Sequence, residues 1–327
     1  MTQVASEESI NQSTTQSTTA ATAVAAVGTR AGRRHPALAT VRARLAPWLA
    51  VAPFLILVAV GLVTPTVALA VGAFRRQNPD TLAAETTVDN LRVALSGGYR
   101  TALLGSLRLA AVCAVVGAVL GVAIAAAVVR SGSPTLRRVV LTASGVLANF
   151  GGVPLAFAFM ATIGNAGVVT TLVSNWTGIK LGDAGFTLYS FLGLSVVYLY
   201  FLIPLMVVVV IPALDGMRPQ WIQAAENLGA SRWQYWRYVG GPVLAPPVLG
   251  GALLLFCGGL SAFATAAAMV GGTVPLVTLQ IANVLSGNVL VGQEGVGAAL
   301  ALIMIGSVTV VMVVYWLVQR RTARWLR

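Results

Sequence analysis

Few residues in this chain could do chemistry, and they do not gather. There is one histidine, His35, one lysine, Lys180, and two cysteines, Cys113 and Cys257. Nucleophilic catalysis of the Ser/His/Asp kind needs a buried imidazole, and His35 sits in an arginine-rich segment. Metal centres need clustered His, Cys or carboxylate ligands, and none of the four residues has such neighbours in sequence. Both cysteines fall inside apolar runs, where a free thiol packs as a small hydrophobe. Lys180 follows no GxxxxG, so no phosphate-cradling loop is present. The expectation is a non-enzyme, with no catalytic, metal or cofactor-binding residues, that takes any energy it uses from a partner.

The informative polar stretch is Gln223–Pro242, QAAENLGASRWQYWRYVGGP, set in an otherwise hydrophobic polypeptide. Pro219 suits a first helical turn, where a missing N–H costs nothing. Ile222, Ala225 and Leu228 then recur on one face, with Gln220, Gln223 and Glu226 toward another. Gly229 can adopt the left-handed conformation that ends a helix. Ser231 and Gln234 form an S-x-x-Q capping box that opens a second helix from Arg232 to about Tyr238. Such a segment suits either a lipid surface or a protein groove.

Composition places these residues in a membrane protein. Hydrophobic residues make up 57% of the chain and charged residues 9%, against about 25% charged in a soluble domain. The net charge of +12 lies in short loops without interleaved aromatics, which argues against nucleic acid. Six apolar runs, at about Pro47–Phe74, Thr101–Val129, Val139–Ile163, Phe186–Ala213, Val243–Val270 and Val296–Gln319, each approach the ~20 residues that cross a bilayer. The reading is an all-α polytopic membrane protein of six transmembrane helices. Residues 1–46 form a disordered, basic N-terminal tail, polar at first and then carrying Arg30, Arg33, Arg34, Arg42 and Arg44. No hydrophobic core follows the first methionine, which argues against a cleaved signal peptide. Residues 47–319 form the membrane domain, with a polar segment at 214–242, and 320–327 a basic C-terminus.

Arginine placement sets the orientation. One set of loops holds the N-terminal arginines, Arg130, Arg137, Arg138, Arg218, Arg232, Arg237, and Arg320, Arg321, Arg324 and Arg327; the alternate set holds Arg75, Arg76, Arg92, Arg100 and Lys180. Fifteen against five puts both termini, and the Gln223–Pro242 insert, in the cytoplasm.

No Asp or Glu falls inside these runs, whereas ion-coupled carriers use intramembrane carboxylates or histidine. Arg108 is the one charge near a span interior, read either as a contact to an anionic solute or as a side chain snorkelling to the outer interface. Asn149, Tyr198, Ser261 and Thr265 are candidates, with Arg108, for a polar translocation path; the plainer reading of each of the four is a helix–helix hydrogen bond.

The order Gln223-Ala224-Ala225, three residues, Gly229, nine residues, Val239-Gly240-Gly241-Pro242 resembles the EAA signature, EAA-x3-G-x9-I-x-L-P, of permease subunits of binding-protein-dependent ABC importers. The resemblance covers about residues 50 to 320, with Gln223, Val239 and Gly241 replacing the usual Glu, Ile and Leu. It implies a type I ABC importer permease fold, in a bacterial inner membrane. Gln223, Ala224, Ala225, Glu226, Leu228, Gly229, Ala230 and Pro242 would then couple to a cytoplasmic ABC ATPase dimer. Further implied partners are a second, homologous permease subunit and an extracytoplasmic solute-binding protein. The stretch Gly151-Gly152-Val153-Pro154-Leu155-Ala156-Phe157, with Leu214-Asp215-Gly216, looks most like the branch with polyamine, iron, thiamine and aminoethylphosphonate permeases, so polyamine or organophosphonate is the implied substrate. The alternatives are a membrane scaffold or sensor docking a cytoplasmic partner, and an ion-coupled secondary carrier.

Overall fold

The computed structural model describes residues 51–77, 84–178, 186–286 and 294–323. The tail expected at 1–46, Lys180 and the last four residues lie outside them. Contacts divide the chain into a unit ending at Pro65 and a second from Thr66 to Arg327. In the first, residues 51–65 are helical with none buried, and a π turn occupies Ala59–Val63. The missing N–H of Pro65 perturbs the helical ladder just there, and the Thr64 hydroxyl donates to the Ala59 carbonyl at 3.1 Å.

The second unit is built of helices. Following α1 (Thr64–Ala73) come an antiparallel hairpin of β1 (Arg75–Gln77) and β2 (Ala84–Thr86), α2 (Asp89–Ala94) and α3 (Gly97–Arg130). Next are α4 (Pro134–Asn149), α5 (Gly152–Ile163), α6 (Val168–Thr177) and α7 (Phe191–Asp215). The polar insert supplies α8 (Pro219–Asn227) and α9 (Arg232–Tyr235), and a π turn at Trp236–Gly240 leads into α10 (Gly241–Ser261). The remaining helices are α11 (Ala264–Val270), α12 (Val277–Leu285) and α13 (Glu294–Ala323).

Among the described residues six helical stretches are long and apolar enough to cross a bilayer: Val51–Ala73, Gly97–Arg130, Gly152–Thr177, Phe191–Asp215, Arg232–Ser261 and Glu294–Arg320. Their number matches the sequence expectation, but two boundaries are corrected. The expected span Val139–Ile163 is two helices, α4 and α5, because the chain turns at Phe150–Gly151 and Gly152 takes φ +76°. The expected span Val243–Val270 is broken after Ser261, where Ala262 is extended, and it resumes as α11.

The core lies where α3, α7 and α10 pack on one another. Lipid gives helices no hydrophobic reason to associate, so close van der Waals contact must do so, and small residues permit it. A Cβ at Gly121 would stand 2.5 Å from Met206 Cβ, and one at Gly251 2.5 Å from Met206 Sδ. One at Gly117 would meet Leu255 Cδ2 at 2.8 Å. Met206, Leu202 and Leu255 are fully buried in this seam. A second cluster joins α1, α2 and α13: the Asn90 amide, 6% exposed, donates to the Ala73 and Arg75 carbonyls at 3.1 and 2.9 Å.

Replacing Gly121 by leucine should therefore lower the melting temperature of the purified chain or prevent its recovery as a monodisperse species, since overpacking costs about 1–3 kcal/mol or more. Gly306→Ala, where a Cβ meets nothing within 4 Å, should melt like the parent.

Candidate functional site

The insert has the local structure its residues dictate. Pro219 opens α8, and none of that helix is buried. Its end is a Schellman motif: Gly229 N–H donates to the Glu226 carbonyl and Ala230 N–H to the Ala225 carbonyl, both at 2.9 Å, with Gly229 at φ +76°. The capping box is complete, with Ser231 Oγ accepting from Gln234 N–H at 3.3 Å and Gln234 Oε1 accepting from Ser231 N–H at 2.7 Å. The left-handed glycine turn and the capping box together fix how the two short helices follow one another.

One difference follows from Pro242. The second helix does not end before the apolar run; it passes through the Trp236–Gly240 π turn straight into α10. Like the π turn ahead of Pro65, this one stands where a proline withholds a main-chain donor. Tyr235, 4% exposed, anchors the segment, and its ring meets Trp236 edge-on at 5.7 Å.

The outer surface of the insert is apolar where solvent would favour polarity. Leu228 is 87% exposed, Trp233 70% and Tyr238 69%. Gln223, Ala224 and Glu226 are exposed beside them, while Ala225, Ala230 and Pro242 are half-buried. At the start of the insert, Arg137 of α4 is paired with Asp215, the last residue of α7.

The translocation-path candidates do not form one site. Tyr198 and Thr265 come together where the two broken spans meet. Thr265 Oγ1 accepts from Gly152 N–H at 3.0 Å and lies 3.3 Å from the Gly152 carbonyl, to which it can donate. The Tyr198 hydroxyl donates to the carbonyl of Ala262, at the other break. Each hydroxyl therefore satisfies main-chain groups that a helix interruption would leave open in lipid. Ser261, exposed, bonds back to Gly258 at 3.3 Å. Asn149, also exposed, bonds back to Gly145 within its own helix at 2.8 Å. Arg108 stands elsewhere, over the ring of Phe191 at 5.2 Å.

Insert and breaks share two helices. Asp215 ends α7, which carries Tyr198; Gly241 starts α10, whose 21 residues carry the chain about 31 Å to Ala262. Sequence reasoning missed both the junction and the Arg137–Asp215 pair, whose partners are 113 and 78 residues apart.

Residues 117–324 match the family of binding-protein-dependent transport system inner membrane components. The chain belongs to this family. The inner membrane component also resembles the sulfate transport system permease protein CysT of Escherichia coli strain K12, at 39% identity over 75 residues, 23% of this chain and 27% of that protein. The Salmonella typhimurium strain LT2 protein of the same name is 37% identical over a stretch of the same length. The match thus spans about a quarter of these relatives' length. Its fold is that of a bacterial ABC transporter involved in import of the acidic polysaccharide alginate (TM-score 0.64, 16% identity, 88% of this chain and 98% of the other). It likewise matches an alginate ABC transporter in complex with an alginate pentasaccharide-bound periplasmic protein (TM-score 0.69, 16% identity, 86% and 96%). None of these proteins is named for polyamine or organophosphonate.

The junction makes a direct prediction. Thr265→Val and Tyr198→Phe should each lower thermal stability in detergent by about 0.6–1.7 kcal/mol, the range for hydrogen bonds between membrane helices. Asn149→Ala, which removes only a bond within its own helix, should leave the melting curve where it was.

Proposed function

We propose that the chain is the transmembrane permease subunit of an ATP-driven importer. It passes a small solute, delivered by an extracytoplasmic binding protein, between its helices and those of a second, homologous permease subunit. The helices of 219–239 seat in a cytoplasmic ATPase dimer, which supplies the hydrolysis this chain has no motif for. Both termini and the insert face the cytoplasm, the orientation that the arginine distribution favours. Gln223, Ala224, Ala225, Glu226, Leu228, Gly229, Ala230 and Pro242 transmit force rather than perform chemistry.

The observation that carries this reading is the exposed Leu228, Trp233 and Tyr238 surface on a rigid two-helix unit continuous with α10 and closely joined to α7. A lipid-resting helix needs no fixed angle to a neighbour. A docking lever does, and the Schellman motif with its capping box provides one. Rigid-body motion of the insert would move α7 and α10, and with them the junction of Tyr198, Ala262, Thr265 and Gly152.

The solute is of anionic class. The relatives are named for sulfate and for an acidic polysaccharide, and within the described spans carboxylates occur only as the terminal residues Asp215 and Glu294. A polyamine path would need acidic contacts that these spans do not offer.

Gly229→Val tests the lever. A Cβ there meets nothing within 4 Å, so the damage is confined to the left-handed backbone, costing about 1–2 kcal/mol. The variant should reach the membrane at parental levels but lose the ATPase on co-purification. An unchanged ATPase complex would contradict the role given to the insert.

A further inference from the structure

One of the cavities outside the insert and the junction contains a charged side chain deep within a span. It holds about 470 Å³ and is lined in part by Thr101, Arg108, Tyr189, Ser190, Phe191 and Thr273. Its size falls in the range of small-molecule sites, roughly 300–1,000 Å³. Its charge comes from Arg108, eleven residues into α3 and so about 16 Å along the axis from Gly97.

Arg108 is oddly placed for a structural residue. It is the one charge lying well away from both ends of a described span. Among the described residues no carboxylate lies within ion-pair distance of it: the ion pairs are Arg76–Asp89 and Arg137–Asp215. Its contact is the face of Phe191, 5.2 Å from the ring centre, which holds the guanidinium in place without neutralising it. A cation with no carboxylate at ion-pair distance among the described residues, set in a partly apolar cleft, attracts anions and repels cations.

The walls around it are fixed. The Ser106 hydroxyl accepts from Val277 N–H at 2.8 Å, clamping the 273–277 strand of chain to α3. A Cβ at Gly105 would stand 2.5 Å from the Pro275 carbonyl, so glycine is what allows that approach. Thr273 Oγ1 donates to the Val270 carbonyl at 2.9 Å, and Ser190 Oγ to the Thr187 carbonyl at 2.6 Å. With those hydroxyl protons engaged, the guanidinium N–H groups and the Tyr189 hydroxyl are the lining side-chain donors left for a ligand. The guanidinium's planar fork matches two oxygens of one anion. The start of α7 beside it adds positive potential.

We propose that this cavity is an oxyanion site in which Arg108 grips sulfate- or phosphate-type oxygens. The shared chemistry has two sources, a free solute ion or the phosphate of a lipid headgroup. The proposal rests on the permease reading for what the ion is doing there, and not for the binding itself.

The test is equilibrium binding of radiolabelled sulfate to the full-length chain at constant ionic strength, first in lipid-free maltoside micelles and then in phosphatidylglycerol nanodiscs. Saturable binding in micelles identifies a solute site. Phosphatidylglycerol retained through delipidation, seen by native mass spectrometry, identifies a headgroup site. In either case Arg108→Gln should weaken retention by about tenfold or more, loss of a charge-assisted bidentate contact. Arg108→Lys, which keeps the charge and loses the fork, should weaken it severalfold and serves if the glutamine variant does not fold. Arg100→Gln, nearer the helix end, should bind as the parent does. Equal retention of both probes by the parent, Arg108→Gln and Arg108→Lys would overturn the site, as would displacement of the anion by putrescine. Gly229→Val separates the two claims: it should bind sulfate or lipid normally even where its ATPase complex is lost.

Discussion

The contact of α3, α7 and α10 at Gly117, Gly121 and Gly251 is the constraint on which the other features rest. Met206 of α7 occupies the space that side chains at Gly121 and Gly251 would fill, with approaches near 2.5 Å to either missing Cβ. Water would drive such helices together by burying apolar surface, but lipid does not. The seam must be held by interlocking shape, and glycine supplies the grooves. Because α7 and α10 are fixed against each other through α3, the ends of the polar insert are held at a defined spacing.

That spacing gives the two helix breaks their meaning. An interruption at membrane depth leaves main-chain groups without partners, and only protein can supply them. Thr265 covers Gly152 and Tyr198 covers Ala262, so each break is sealed by a side chain from another element. The arrangement is rigid along the helices and jointed at the breaks. A displacement at Asp215 or Gly241 therefore has a stiff route to the junction and a compliant place at which to be absorbed.

The parts legible in the sequence were those whose cause is local. Pro219, the left-handed Gly229 and the Ser231–Gln234 capping box each act within a few residues, so spacing alone located the two helices of the insert. The six apolar runs were legible in number for the same reason. The break at Gly151–Gly152 was not, because composition on both sides is equally apolar and a glycine pair can serve packing or a turn. What decides it is Thr265, brought from far along the chain. Arg137 and Asp215 likewise become partners only in the fold. Asn149 is a path candidate in the sequence because polarity in a span is rare; its amide donates one turn back, to Gly145 of its own helix. The second helix of the insert, expected to end at about Tyr238, runs on through the π turn before Pro242 into α10.

The central claim is that the exposed face of the insert is a cytoplasmic surface covered by an ATPase. Leu228, 87% exposed, is the place to probe it, as a single Leu228→Cys in a chain with Cys113 and Cys257 replaced by alanine. Labelling with a membrane-impermeant maleimide, in membrane vesicles of each orientation, reports both side and occupancy. The account predicts labelling in inside-out vesicles, none in right-side-out vesicles, and protection when the ATPase is bound. Labelling from the outside, or labelling indifferent to the ATPase, would contradict it.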